Sequence, residues 1–203
     1  MTERNQQRRH LRTQRNNLST DEILTASRSI AEHLIKTSLF SSSKRIACYM
    51  PARGEVDTLP IMEVAWGRGK QVYLPMLSPL GDNKLWFAEF EPCDPMVFNR
   101  YGIPEPTFSK RKMIHPVQLD LVLAPLVGFD SKGHRLGMGG GYYDRTFGFL
   151  NYRKSFLKPW FIGLAYHFQQ LPALESHFWD VDLRGVITEE RLKMFPRNPD
   201  LWL

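Results

Sequence analysis

Residues 121–127, Leu-Val-Leu-Ala-Pro-Leu-Val, are the most apolar stretch of the chain, and four glycines in five positions follow at Gly137, Gly139, Gly140 and Gly141. A continuous apolar run bounded by turn residues is the pattern of a strand covered on both faces. Such a strand needs helices above and below it, so the chain is restricted to a layered α/β architecture.

The segments before it keep that alternation. Ser19-Thr20-Asp21-Glu22 forms a capping box, and apolar residues at helical spacing run from Ile23 to Ile35 before fading near Thr37. Ile46–Met50 reads as a strand stopped by Pro51. Pro60 and Gly67 bracket a helix that opens at Leu59, and Gln71–Pro75 is a second short strand. Leu85–Phe90 alternates, which predicts an antiparallel or edge strand. Residues 91–118 hold five prolines and the basic run Lys110-Arg111-Lys112, a long connection with short elements at most. Downstream, a helix from about Tyr142 and strands at Phe161–Ala165 and Gly185–Thr188 are expected.

The expected fold is therefore α/β, a three-layer α/β/α sandwich with a mostly parallel sheet. One domain spans residues 1–190, with a basic helix over 4–18 packed on it. Residues 191–203 form a tail that either docks through Trp202 or is disordered. At 203 residues the chain is long enough to bury a sizeable core. Its 42% hydrophobic and 24% charged content exclude wholesale disorder.

Charge is uneven. Of the net +6, four units sit in residues 1–20, where Arg4, Arg8, Arg9, Arg12 and Arg15 face one acid, Glu3. No apolar run approaches the ~20 residues of a membrane span. The basic start lacks the apolar core of a secretory signal, although it also fits a mitochondrial transit peptide. Cys48 and Cys93 have no ligand spacing, so neither zinc nor a disulfide is signalled, and a reducing cytoplasmic setting fits. The six histidines show no metal spacing.

Three segments carry chemistry. The strongest is Gly133–Arg145, a glycine loop that feeds a helix. Glycine lets the backbone approach a ligand, and helix-end amides converge on an anion. This loop suits phosphate; the bland reading is a ligand-free turn. It lacks the Gly-Lys-Ser/Thr ending of a P-loop and the downstream acid of a dinucleotide fingerprint. Asp144 beside a phosphate would be repelled unless a cation mediates, which implies Mg2+; otherwise it compensates the helix dipole. The second segment is the basic helix, where Arg8, Arg12 and Arg15 fall at i, i+4 and i+7. They form either a polyphosphate clamp or a solvated, RNA-touching face. The third is the loop Tyr49–Thr58, after the first strand. There Glu55 either accepts hydrogen bonds from an amine-bearing ring or is an ordinary turn acid.

With these segments in view, the chain resembles the 5-formyltetrahydrofolate cyclo-ligase (methenyltetrahydrofolate synthetase) family, in order, over roughly residues 8–190. Arg8–Arg12, Tyr49–Thr58 and Asp120–Arg145 carry the resemblance, and Asn99–Pro106 and Asp182–Glu189 support it. It implies a fold like that of ribose-isomerase and CoA-transferase relatives, usually monomeric, with no nucleic-acid or membrane partner. It also implies ATP- and Mg2+-dependent closure of 5-formyltetrahydrofolate to 5,10-methenyltetrahydrofolate, with ADP and phosphate released.

Carried over by position, Arg8, Arg9, His10, Leu11, Arg12, Arg135, Leu136, Gly137, Met138, Gly139, Gly140, Gly141, Tyr142 and Tyr143 would hold ATP. Met50, Glu55, Tyr101 and Met138–Tyr142 would line the folate site. Asp144 and Asp182 would hold Mg2+, and Arg12, Arg135 and Tyr142 would act in catalysis. Two departures stand out. The family usually has Lys at the place of Arg8, and many members have a basic residue at that of Gly140; Arg135 or Arg145 could compensate. Two other classes stay in view: a sugar-phosphate isomerase or CoA-transferase-like enzyme on a shared fold, and a nucleic-acid-binding module that uses the basic arm.

Overall fold

A computed structural model describes residues 2–109, 112–153 and 158–196. The basic segment forms α1 (Glu3–Asn16). The capping box then opens α2 (Thr20–Ile35) with both reciprocal bonds made, Ser19 Oγ accepting from Glu22 N and the Glu22 carboxylate from Ser19 N. A short α3 (Ser38–Ser42), capped by Thr37, occupies the place where the apolar periodicity faded. Five residues are too few for a periodic signal.

The first half continues with β1 (Arg45–Ala47), α4 (Leu59–Gly67), β2 (Gln71–Leu77) and β3 (Leu85–Glu89). The proline-rich connection holds only short strands, β4 (Met96–Phe98), β5 (Pro104–Pro106) and β6 (Met113–Ile114). Then come β7 (Leu121–Pro125), the small hairpin β8 (Gly128–Phe129) and β9 (Arg135–Leu136), α5 (Tyr142–Phe147), β10 (Trp160–Leu164), β11 (Gly185–Ile187) and β12 (Leu192–Met194).

Eight strands form the main sheet in the order β12-β11-β10-β7-β1-β2-β3-β6. The five strands from β11 to β2 are parallel; β12 and β3 run antiparallel to them at either margin, and β6 pairs antiparallel with β3. The apolar run is central, with β7 between β10 and β1. Its side chains alternate between two cores, as strand geometry requires. Leu121 and Leu123 pack with Ile30, Leu34, Phe40 and Ile61 of α2–α4, whereas Val122 and Ala124 pack with Phe129, Phe147 and Phe161 beside α5. These are the three layers expected.

The structure adds two details to the strand pattern. β3 is antiparallel but not outermost, because β6 pairs beyond it. The sheet also runs past residue 190: Leu192–Met194 pairs with β11, and Phe195 is buried over Gly133, where a Cβ would stand 3.1 Å from its ring. Trp202 lies outside the described residues, as do Lys110 and Arg111; Lys112 pairs with Asp94 at 2.7 Å. Among the described residues, no helix is long and apolar enough to cross a membrane.

This topology sets a working end and a structural end. The chain leaves β1, β2 and β7 at Tyr49-Met50, Leu77 and Leu126, all at the carboxyl side of the parallel strands, where open α/β sheets gather ligands. α1 closes over that end because Leu11, its buried apolar residue, packs against Gly128 of β8.

Candidate active site

A cavity of about 1070 Å³ opens at the carboxyl ends of the strands. One wall is α1. Arg4, Arg8 and Arg12 lie four residues apart, so they share a stripe of the helix, and all three line the cavity. Arg8 donates from Nε to the carbonyl of Gly137 at 2.8 Å, which ties the basic stripe to the glycine loop. Burial lowers the Arg8 pKa first, and the like charges of Arg4 and Arg12 lower it further. Arg12 makes no hydrogen bond or ion pair among the described residues.

The opposite wall is the glycine loop with the start of α5. Gly139 and Gly141 adopt φ of +99° and +67°, values that side chains resist, so the loop turns tightly into the helix. At Gly140 a Cβ would stand 2.8 Å from the ring of Tyr142, so the bare α-carbon is what lets that ring lie across the loop. Arg145 donates to the carbonyl of Gly140 at 2.6 Å and covers Gly141. Arg135 runs between the rings of Tyr143 and Phe161 to donate to Asp144 Oδ1 at 2.5 Å. The same oxygen accepts from Val181 N at 3.2 Å, so Oδ2 has no donor among the described residues.

The floor comes from the Tyr49–Thr58 loop. Tyr49 donates to the carbonyl of Val56, and Thr58 Oγ1 donates to that of Tyr49, which folds the loop back on itself. Glu55 is held there, with Ala52 N donating to Oε2 at 3.2 Å and Arg15 Nη1 lying 3.6 Å from Oε1. Burial raises the Glu55 pKa, while the Arg15 charge and the Ala52 amide oppose the rise. The rim is the turn between β4 and β5. Tyr101 and Tyr142 meet hydroxyl to hydroxyl at 2.9 Å, and Arg100 reaches the Tyr142 oxygen at 2.5 Å. The Tyr101 bond and the Arg100 cation lower the Tyr142 pKa.

Most residues expected at the site meet in this cavity: Arg8, Arg12, Met50, Glu55, Tyr101, Arg135, Gly137–Tyr143 and Asp144. Five do not reach its wall. Arg9 and His10 are turned outward by helix phase, and Leu11 is buried on Gly128. Leu136 is a core residue of β9. Asp182 lies on the side of His134 and Asp130, where burial raises its pKa. Asp180 takes its place on the cavity, accepting from Arg4 at 3.4 Å and from His177 N at 3.0 Å. Arg4 could have been found by stepping four residues back from Arg8. Asp180, in a short turn, left no periodic signal.

These walls bring a cationic stripe and a glycine loop together around a single cavity, with a buried carboxylate on its floor. A family model described as the 5-formyltetrahydrofolate cyclo-ligase family matches residues 1–189. The chain belongs to that family. It is 38% identical over 184 residues to the 5-formyltetrahydrofolate cyclo-ligase of Haemophilus influenzae, a match covering 91% of this chain and 96% of that one. It is also 38% identical over 147 residues to the same enzyme of Escherichia coli K12, covering 72% and 79%. Among solved structures, the 5,10-methenyltetrahydrofolate synthetase of Aquifex aeolicus superposes with a TM-score of 0.79 at 28% identity, covering 98% and 96%. The synthetase of Mycoplasma pneumoniae gives 0.72 at 27%, covering 93% and 99%. The cyclo-ligase family acts on a folate, and the chain is an enzyme of this class.

Proposed function

We propose that the chain closes 5-formyltetrahydrofolate to 5,10-methenyltetrahydrofolate at the expense of ATP, with Mg2+ bound alongside the nucleotide. The observation that carries this reading is the confrontation of Arg4, Arg8 and Arg12 with the glycine loop across one cavity. Three like charges on one helix face repel one another, and a polyphosphate between them and the loop amides relieves that repulsion. Because Arg8 and Arg12 face the cavity, one nucleotide suits them better than a nucleic-acid polymer.

The donor set also fits Mg2+. Among the described residues no group of three or more His, Cys, Asp or Glu side chains could hold a metal by itself. Mg2+ commonly binds through one or two carboxylates plus substrate phosphates. Asp144 would hold it through the oxygen that Arg135 and Val181 leave unused, with Asp180 nearby on the wall. Bound there, the ion would neutralise phosphate charge.

A formamide oxygen is a poor nucleophile and a worse leaving group, so N10 cannot expel it as hydroxide. Transfer of the γ-phosphoryl group forms a P–O bond to the formyl oxygen and breaks the β–γ bridge, releasing ADP. N10 then attacks the activated carbon and loses its proton. Phosphate departs with the C–O electron pair, leaving the methenyl bridge. Phosphoryl transfer rests on positioning and charge stabilisation, so no Ser, Cys or His nucleophile is needed. Arg8 and Arg12 hold the phosphates, Arg135 fixes Asp144, and Glu55 accepts hydrogen bonds from the pterin amine. Tyr101, Met50 and Tyr142 confine the ring.

The test is direct. The protein is mixed with 5-formyltetrahydrofolate, Mg2+ and ATP, and the methenyl product is followed by absorbance. Formation that needs both ATP and the metal is expected. Folded protein that makes no ATP-dependent product overturns the reading.

A further inference from the structure

Arg100 is exposed, lies outside the cavity wall and has no part in the reaction as set out above, yet it organises the two tyrosines of the rim. Its guanidinium stands over the Tyr101 ring, 5.3 Å from the centroid, and donates from Nη2 to Tyr142 Oη at 2.5 Å. Asn83 Oδ1 accepts from the same nitrogen at 3.5 Å. One side chain thus links the β2–β3 turn, the β4–β5 turn and the start of α5. Exposed contacts of this kind add little to stability. What they fix is direction.

The direction follows from donor counting. Arginine has donors only, so Tyr142 Oη must accept from Arg100. In the 2.9 Å contact between Tyr142 and Tyr101, either hydroxyl could donate. An oxygen that accepts from a cation becomes a stronger donor and a weaker acceptor, because consecutive hydrogen bonds polarise one another. That polarisation favours donation from Tyr142 to Tyr101, which leaves the Tyr101 hydroxyl hydrogen over. Tyr101 lines the cavity, and the Tyr142 ring that feeds it is seated on Gly140.

We propose that Arg100 is a positioning residue that acts through Tyr142 to present the Tyr101 hydroxyl as a hydrogen-bond donor to an oxygen of the folate substrate. This rests on the folate reading above and adds a specificity relay, Arg100 to Tyr142 to Tyr101 to ligand. The acceptor is a carbonyl or carboxylate oxygen of the folate, since those are the ligand groups that accept and do not donate.

A double-mutant cycle tests the relay by binding alone. Calorimetric affinity for 5-formyltetrahydrofolate is measured without ATP for wild type, Arg100→Ala, Tyr142→Phe and the double variant. Losing one oriented hydrogen bond predicts roughly fivefold weaker binding for Arg100→Ala. In the Tyr142→Phe background the same change should have no further effect, and Arg100→Lys, which also donates, should recover most of the loss. In turnover, KM for the folate should rise while KM for ATP stays constant. Equal affinity of wild type and Arg100→Ala overturns the relay, as does a full additional loss in the Tyr142→Phe background. Wild type that binds no folate removes the folate reading and the relay's ligand with it, so the two failures are distinct.

Discussion

Arg15 lies directly against Glu55, its Nη1 3.6 Å from Oε1, with Nε donating to the carbonyl of Arg53 at 3.0 Å and Nη1 to that of Leu126 at 3.2 Å. Arg15 is only 2% exposed, so it is a strut between α1 and the cavity floor and not a third phosphate ligand. The carboxylate above it is the pH-sensitive element of the site. Burial raises the Glu55 pKa despite that cation, so folding shifts its titration toward the neutral acid relative to the unfolded chain. By linkage, Glu55 adds stability at low pH and withdraws it as pH rises through its raised pKa. Ligand binding has the opposite need, because the ionised form accepts from an amine through both oxygens and more strongly than the neutral acid. Folate affinity should therefore weaken as pH falls through a midpoint above the ordinary glutamate value of about 4.3. Glu55→Gln should bind about tenfold more weakly or worse at pH 7 and lack that acid limb. Titrating both proteins by calorimetry decides it, and an identical limb in the variant removes Glu55 from the pterin contact.

The arginines of α1 separate by helix phase. Arg12 faces the cavity with no hydrogen-bond or ion-pair partner among the described residues, whereas Arg9 is exposed on the far side. A preorganised charge at a phosphoryl-transfer site is worth about tenfold or more in rate. Arg12→Ala should lower ATP-dependent turnover by at least about that factor, and Arg9→Ala should leave it within about twofold. Equal losses in the two variants would mean that net charge matters and placement on the helix does not.

The periodic elements were legible in the sequence because their patterns repeat. Ser19–Glu22 marked a helix start with two bonds that the structure makes, and Leu121–Val127 marked the central strand because both its faces are covered. Glycine spacing likewise marked the loop that enters α5. What stayed hidden depends on contacts distant in sequence or on turns too short to be periodic. Nothing near Asp180 or Asp182 tells which one meets the cavity, since that depends on Arg4, 176 residues away. Arg15 shares the basic stripe in sequence, but Glu55 and Leu126 draw it into the interior.

Gly128 governs how α1 docks. A Cβ there would stand 2.7 Å from Leu11 Cδ1 and 3.3 Å from Leu171 Cδ1, and Leu11 is 2% exposed with no room to retreat. Overpacking of this kind costs about 1–3 kcal/mol. Because Leu11 shares its helix with Arg8 and Arg12, Gly128→Ala should raise KM for ATP several-fold besides lowering Tm. Steady-state kinetics against each substrate will show it. A lower Tm with an unchanged KM for ATP would place the strain in the core and leave α1 seated.

The opposite end of the sheet predicts an acid-labile brace. Asp120 precedes β7, where its Oδ2 accepts from Arg45 N at 2.9 Å and Lys44 N at 3.1 Å, and its Oδ1 from Lys158 Nζ at 2.9 Å. Burial disfavours its charge, yet Lys158 and the two amides hold the carboxyl down to about 2. A depressed pKa means that the ionised form stabilises the fold, fully above the unfolded value of about 3.9 and progressively less as pH falls toward 2. With Lys158 half exposed and screened by solvent, the contribution is on the order of 1–2 kcal/mol. Asp120→Asn should lower Tm by several degrees at neutral pH, and the gap from wild type should close between about pH 4 and pH 2. The brace sits at the amino ends of the strands, away from the cavity, so kcat should not change. Thermal melts across that range check the first claim, and a persistent Tm gap at pH 2 would show that the lost stability came from packing and not from charge.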